Sequence, residues 1–274
     1  MKTKIKNALI SVSDKKNLTS LLKILQKFNI HIISSGGTYA TIKKLGYECT
    51  ELSKYTGLKE MLDGRVKTLH PKIHAGILHD RKNKKHIDEM AEQNFPAIDL
   101  IIVNFYPFQK VVTRTSITKN IIENIDIGGP TMVRAAAKNF NNVTIITNID
   151  DYDSLIEEIK KNKGSTTLKF RELMSSKAFG LTAYYDSMIS NWFNKKLNIK
   201  FPERKTIFGR KFKKLRYGEN PHQQSSIYVS DFIDKRLDFN QIHGKELSYN
   251  NYNDMFSSLE ILKSLKKNSG TVII

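Results

Sequence analysis

The sequence predicts an α/β protein: a parallel sheet covered by helices on both faces, followed by the start of a second α/β domain. Three observations carry that prediction. Short, continuous apolar runs recur through the first half of the chain, and segments with apolar residues at helical spacing separate them. Ser- and Gly-rich turns follow the runs where a strand would hand over to a helix. Continuous runs, as opposed to alternating ones, mark strands buried on both sides, which is the pattern of a parallel sheet.

Taken in order, Ala8 to Val12 reads as the first buried strand. Leu18, Leu21, Leu22, Leu25 and Phe28 then fall on one face of a helix, and Asp14 stands where a capping residue is wanted. Ile30 to Ile33 is a second strand, stopped by Ser35-Gly36-Gly37-Thr38, which feeds a helix from Tyr39 to Leu45. Leu100 to Val103 and Val143 to Ile146 are further strands, and Ser165 to Asn194 is helical, ending near Trp192-Phe193. Residues 1–196 form the expected first domain and 197–214 a basic linker holding Pro202 and Gly209. Residues 215–274 begin a second domain. The final apolar run, Thr271 to Ile274, reads as a strand. Ending there would leave an unpaired edge, so a larger parent domain is expected, and 215–274 is not expected to fold alone.

Composition narrows the class. Of 274 residues, 39% are hydrophobic and 26% charged, which suits a globular protein. No apolar run approaches the roughly 20 residues of a membrane span. Met1-Lys2-Thr3-Lys4-Ile5-Lys6 lacks the apolar core of a signal peptide. The single cysteine, Cys49, excludes an intrachain disulfide, reads as a small buried hydrophobe, and points to the cytoplasm. The net charge of +18 favours anionic partners. Lys195 to Arg216 holds ten Lys or Arg against one acid, Glu203, but no nucleic-acid-binding motif accompanies the charge. An abundance of Lys, Asn and Ile explains the excess without a nucleic-acid role.

The densest signal is Gly64-Arg65-Val66-Lys67-Thr68-Leu69-His70-Pro71-Lys72-Ile73-His74-Ala75-Gly76-Ile77-Leu78. It gathers three cations and two imidazoles, with Asp63 just before it. A surface helix would interleave opposite charges and a buried strand would not carry unpaired ones. The run is therefore read as a loop collecting cations around an anionic small molecule. His70, His74 and His79 invite a metal reading through the i, i+4 spacing of the first two, but Pro71 intervenes and no Glu follows His70 directly. No metal is assigned.

This run is similar, nearly residue for residue, to the signature loop of the AICAR transformylase/IMP cyclohydrolase family. Ser11-Val12-Ser13-Asp14-Lys15, Ser35-Gly36-Gly37-Thr38, Asn104-Phe105-Tyr106-Pro107-Phe108 and Asp126-Ile127-Gly128-Gly129-Pro130-Thr131 through Arg134-Ala135-Ala136-Ala137-Lys138-Asn139 stand in the family's order. Leu215 to Gln223 and Gly244 to Asn251 resemble the opening blocks of its transformylase domain. Phe105, Pro130 and Met132 depart from the commoner family residues as tolerable packing changes.

The resemblance implies a Rossmann-like, methylglyoxal-synthase-like first domain that closes the purine ring of formyl-AICAR to IMP without metal or organic cofactor, in a homodimer. It carries over Lys67, Tyr106, Asp126 and Lys138 as catalytic. Ser11, Ser13, Lys15, Ser35, Gly36, Gly37, Thr38, Arg65, Thr68, Asn104 and Gly128 are carried over as substrate-binding. Arg216, Tyr217, His222 and Gln223 would belong to the transformylase, whose co-substrate in the full-length family is 10-formyltetrahydrofolate. The chain stops before the Lys-His pair that formyl transfer uses, so none is expected of it. The same fold also occurs in methylglyoxal synthase and in an allosteric domain of carbamoyl phosphate synthetase, so a plain binding module is the competing reading.

Overall fold

The computed structural model describes residues 2–230 and 241–265, in two compact units divided between Phe193 and Asn194. The first unit opens with β1 (Lys2–Lys4), β2 (Asn7–Val12), α1 (Leu18–Lys27), β3 (His31–Ser34), α2 (Gly36–Lys44), β4 (Thr50–Glu51) and α3 (Leu52–Thr56). It continues through α4 (Pro71–Leu78), α5 (Lys84–Glu92), β5 (Leu100–Asn104), α6 (Phe108–Arg114), α7 (Thr118–Glu123) and α8 (Gly128–Lys138). Then come β6 (Thr144–Ile146), α9 (Tyr152–Lys161), β7 (Ser165–Thr167) and the long α10 (Leu168–Lys196).

Five strands pair in parallel in the order β4-β3-β2-β5-β6. Ala8 sits between Ile32 on one side and Leu100 on the other. Ala8, Leu9, Ile10 and Leu100 to Ile102 are all buried, as strands covered on both faces require. From β2 the chain winds outward to β3 and β4, then crosses back to β5 and β6. α4 packs with α8 and α1 with α9, as expected where right-handed crossovers wind in opposite directions from the centre of a sheet. The direction of winding changes between β2 and β5, and in such sheets ligands bind beyond the strand ends at that point.

Several local expectations are corrected. The cation-rich run is a loop only as far as His70, and Pro71 to Leu78 is α4. Pro71 takes the first helical position, where its fixed φ is suited, and the His70 ring caps the end by accepting the Lys72 N–H at 3.1 Å. Ile73, Gly76 and Ile77 face inward, and Lys72 reaches the Tyr55 ring at 4.9 Å. Asp14 does not cap α1. Asn17, left-handed at φ 58°, occupies that position, and Asp14 instead closes a turn on the Lys16 N–H. The helix after Ser35 begins at Gly36, ahead of Tyr39, and Gly36 itself adopts φ +52°, which its missing Cβ permits. Ser165 to Thr167 is not helical but pairs antiparallel with β1, and nothing local in the sequence signals a partner so distant. Cys49 is half-buried, and burial raises its thiol pKa.

In the second unit, β8 (Arg210–Lys214) and β9 (Ser226–Val229) form an antiparallel pair with an irregularity between Lys211 and Lys213. The segment expected as linker thus ends in a strand. α11 (Tyr249–Ser264) is opened by a reciprocal capping box between Ser248 and Asn251. The expected strand at Thr271 to Ile274 lies outside the described residues. Among the described residues, no helix is long and apolar enough to cross a membrane.

Candidate active site

The loop after β2 is shaped by one side chain from β5. Asn104 Oδ1 accepts the Ser13 N–H at 2.6 Å, the Ser13 hydroxyl at 2.8 Å and the Asp14 N–H at 3.1 Å. Its amide nitrogen donates back to the Asp14 carbonyl. Asn104 is therefore chiefly a clamp that fixes Ser13 and Asp14. After β3, the buried Thr38 hydroxyl accepts the Val12 N–H at 3.1 Å and donates to the Val12 carbonyl at 3.0 Å, locking α2 onto β2. The N-terminus of α2 has no side-chain cap and no acidic residue in its first turn. Its free N–H groups and the positive end of its dipole suit an anion.

Glycines hold the functional side chains close. A Cβ on Gly36 would lie 2.6 Å from Lys67 Nζ, and one on Gly128 would lie 2.2 Å from Thr68 Oγ1. The carboxylate oxygens of Asp126 crowd Gly129 in the same way, and Lys15 Nζ passes over Gly37. Asp126 sits at the entrance to α8, accepting the Gly129 N–H at 2.8 Å. Burial raises its pKa above the ordinary carboxylate value, against the opposing pull of the Gly129 and Tyr106 N–H groups.

The Asn104-to-Phe108 turn presents Tyr106, half-exposed, between two anchored rings. Phe108 is fully buried, and Phe105 packs on Tyr185 of α10 with ring centroids 5.0 Å apart. The Tyr185 hydroxyl also accepts the Asp126 N–H at 2.9 Å. Burial pushes its own pKa up to about 12, so it stays protonated and neutral.

These turns surround an open cavity of about 690 Å³, within the range of small-molecule sites. It is lined by Ser11, Ser13 and Lys15; by Ser35, Gly36, Gly37 and Thr38; by Arg65, Lys67 and Thr68; and by Asn104, Tyr106, Asp126 and Gly128. Lys138 is the one cavity candidate the fold does not bring there. It is exposed at the far end of α8, ten residues from Gly128 and hence about 15 Å along the axis. The helix that begins in the cavity carries it away. In the second unit, Arg216 stacks on the Tyr217 ring at 4.7 Å and donates to its hydroxyl. Hydrogen bonds with Ser248 and with Arg216 lower the Tyr217 pKa. Gln223 closes a turn by accepting the Gly218 N–H at 2.8 Å, and His222 is exposed on that turn.

Sequence reasoning missed the partners of the site. Arg65 is gripped by both oxygens of Glu123 on α7, and the guanidinium holds that carboxyl below its usual range. Lys67 pairs with Glu60. His74 on α4 hydrogen-bonds the Thr68 backbone, and burial lowers its pKa. Glu60 lies only seven residues before Lys67 and was open to detection. Glu123 and Tyr185 carry no local signal, since only the fold brings them in.

A family model described as AICARFT/IMPCHase bienzyme matches residues 136–274, just over half of the chain. The chain belongs to the AICARFT/IMPCHase bienzyme family. A second model, the MGS-like domain, matches residues 17–131, the part that supplies most of the cavity. A bifunctional purine biosynthesis protein PurH from Bradyrhizobium diazoefficiens is 44% identical over 99% of this chain and 52% of its own length. PurH proteins from Persephonella marina and Leptospira biflexa are 45% and 44% identical over 98% of this chain. The family member described here spans about half the length of these curated relatives. A solved chain described as "Crystal structure of ForH" is 30% identical and superposes with a TM-score of 0.61, covering 69% of this chain and 99% of its own.

Proposed function

We propose that this chain closes the purine ring of formyl-AICAR to give IMP, releasing water. The observation that carries the reading is the convergence of Lys67, Tyr106 and Asp126 on one cavity that two turns suited to a phosphate also line. The ribosyl phosphate sits at the N-terminus of α2 and against Lys15. The carboxamide nitrogen attacks the formyl carbon, forming the C–N bond, and its proton passes to Asp126. Burial makes that carboxylate a stronger base than an exposed one. Lys67 stabilises the charge growing on the formyl oxygen, and Tyr106 donates to it. A proton from Tyr106 and the one held by Asp126 convert that oxygen to water, which leaves as the formamide nitrogen gives its own proton back to Tyr106 and forms the C=N bond. The reaction changes no oxidation state and draws its charges and protons from side chains, so no metal or organic cofactor is invoked.

Lys138 enters the mechanism through resemblance alone. A Lys138→Ala chain that turns over at the parent rate would confine the chemistry to the three residues of the cavity. Assembly as a homodimer is proposed on the same ground and is read by sedimentation.

The test is an absorbance assay of formyl-AICAR conversion by the purified chain, with Lys67→Ala beside it. Conversion that disappears in the variant is expected. A folded chain that binds IMP but forms none would overturn the reading in favour of a binding module.

A further inference from the structure

We propose that Glu60 is a positioning residue for ring closure, holding the Lys67 ammonium aimed into the cavity. The inference rests on the cyclohydrolase reading and adds to it a residue just before the Gly64 to Leu78 run.

Glu60 precedes Lys67 by seven residues, yet its Oε1 lies 2.5 Å from Lys67 Nζ. The chain reverses between them through Leu62 at φ 53° and Gly64 at φ 88°, both left-handed. For leucine that conformation is unfavourable, so tertiary contacts must hold the turn in place. The ion pair is one such contact: it joins the two ends of the turn. The other carboxylate oxygen, Oε2, lies over Gly64, where a Cβ would meet it at 3.5 Å. The carboxylate thus fills the inside of its own turn. On the far side, Nζ rests against Gly36, 2.6 Å from where a Cβ would stand. Lys67 is therefore fixed between Glu60 and the start of α2.

This arrangement fixes where the Lys67 ammonium acts. A carboxylate partner holds the charged group through a directed, charge-assisted hydrogen bond. The charge then stands where an oxygen becomes negative during ring closure. The same carboxylate sits beside a cavity built for an anion, so it opposes nucleotide binding while favouring the chemical step. A merely structural residue would not have those opposite effects.

The opposition provides the test. Glu60→Gln keeps the shape and removes the charge. We expect its kcat to fall by about tenfold or more, the scale of a lost charge-assisted hydrogen bond. IMP affinity, measured by calorimetry, is expected to stay equal or to tighten, and the melting temperature to hold. Glu60→Asp restores the charge on a shorter arm and is expected to recover part of the loss. An active parent whose Glu60→Gln variant keeps kcat within twofold would overturn the proposal alone. So would a variant that loses kcat, IMP affinity and melting temperature together, because that is the signature of structural damage. A folded parent that closes no ring would overturn the cyclohydrolase reading and this proposal with it.

Discussion

At the scale of single residues, the site depends on atoms that are absent. Gly128 opens α8 directly against Thr68, and no side chain fits between its Cα and the threonine hydroxyl. Gly128→Ala should leave the fold intact but push Thr68 and the Lys67 backbone beside it out of place, lowering turnover at least tenfold, the cost of about 1.4 kcal/mol in the barrier. Gly180→Ala is the control: that glycine lies in α10 with nothing within 4 Å of where its Cβ would stand, and the change should stabilise by roughly 0.5–1 kcal/mol. Asp126 makes a prediction about pH. Its pKa is raised in the folded chain, so it favours folding when protonated, and that contribution is lost as pH rises through the raised value. The stability of the parent relative to Asp126→Asn should therefore be greatest in acid and decline toward neutrality, as paired melting curves would show. Turnover should be lost in the variant at every pH. The glycine pairs and Asp126 were legible because they stand in contiguous motifs; Glu123, the carboxylate that answers Arg65, was not, because it lies 58 residues away and only the fold brings it in.

At the scale of elements, α10 explains why the rest was hard to read. Its inward stripe runs Arg171, Met174, Ser175, Ala178, Thr182, Tyr185 and Met188, so the helical period is present but the apolar signal is weak. The stripe is polar because the helix meets backbone groups. Arg171 is fully buried and donates to the carbonyls of Phe140 at 2.7 Å, Asn141 at 3.0 Å and Thr166 at 2.6 Å. Ser175 donates to the Ala137 carbonyl at 2.7 Å. A cation in a helical sequence reads as surface, since buried charges are rare, and only the loops around it reveal its role. Arg171→Met fills much of the space but leaves three carbonyls unanswered. It should cost about 2–4 kcal/mol by denaturant unfolding, with IMP affinity of the remaining folded fraction unchanged. The buried strands of the parallel sheet, by contrast, were plain from their continuous apolar runs, whereas the β1–β7 pair was hidden because three-residue polar strands have no pattern of their own.

At the scale of the whole molecule, the question is whether the site belongs to one unit. All the residues that line the cavity fall between Ser11 and Met132, and the groups that support them extend no further than Tyr185 and the Phe108–Trp192 contact. Every strand of the parallel sheet lies in the first unit with them, and so do β1 and β7. Most of the dense basic run lies beyond it. If the +18 charge acts only as a general field on an anionic substrate, salt should weaken that attraction, since screening shortens its reach to about 10 Å at 0.1 M. The close contacts inside the cavity should be affected less. A chain ending at Lys196 keeps all of α10 and discards most of the basic segment with the second unit. It should fold cooperatively and bind IMP within about threefold of the whole chain at 0.15 M salt, where distant charges are largely screened. At low salt the whole chain should bind more tightly, and calorimetry across a salt series separates the two effects. A shortened chain that folds yet loses IMP affinity at every salt concentration would show that the second unit supplies something more specific than charge.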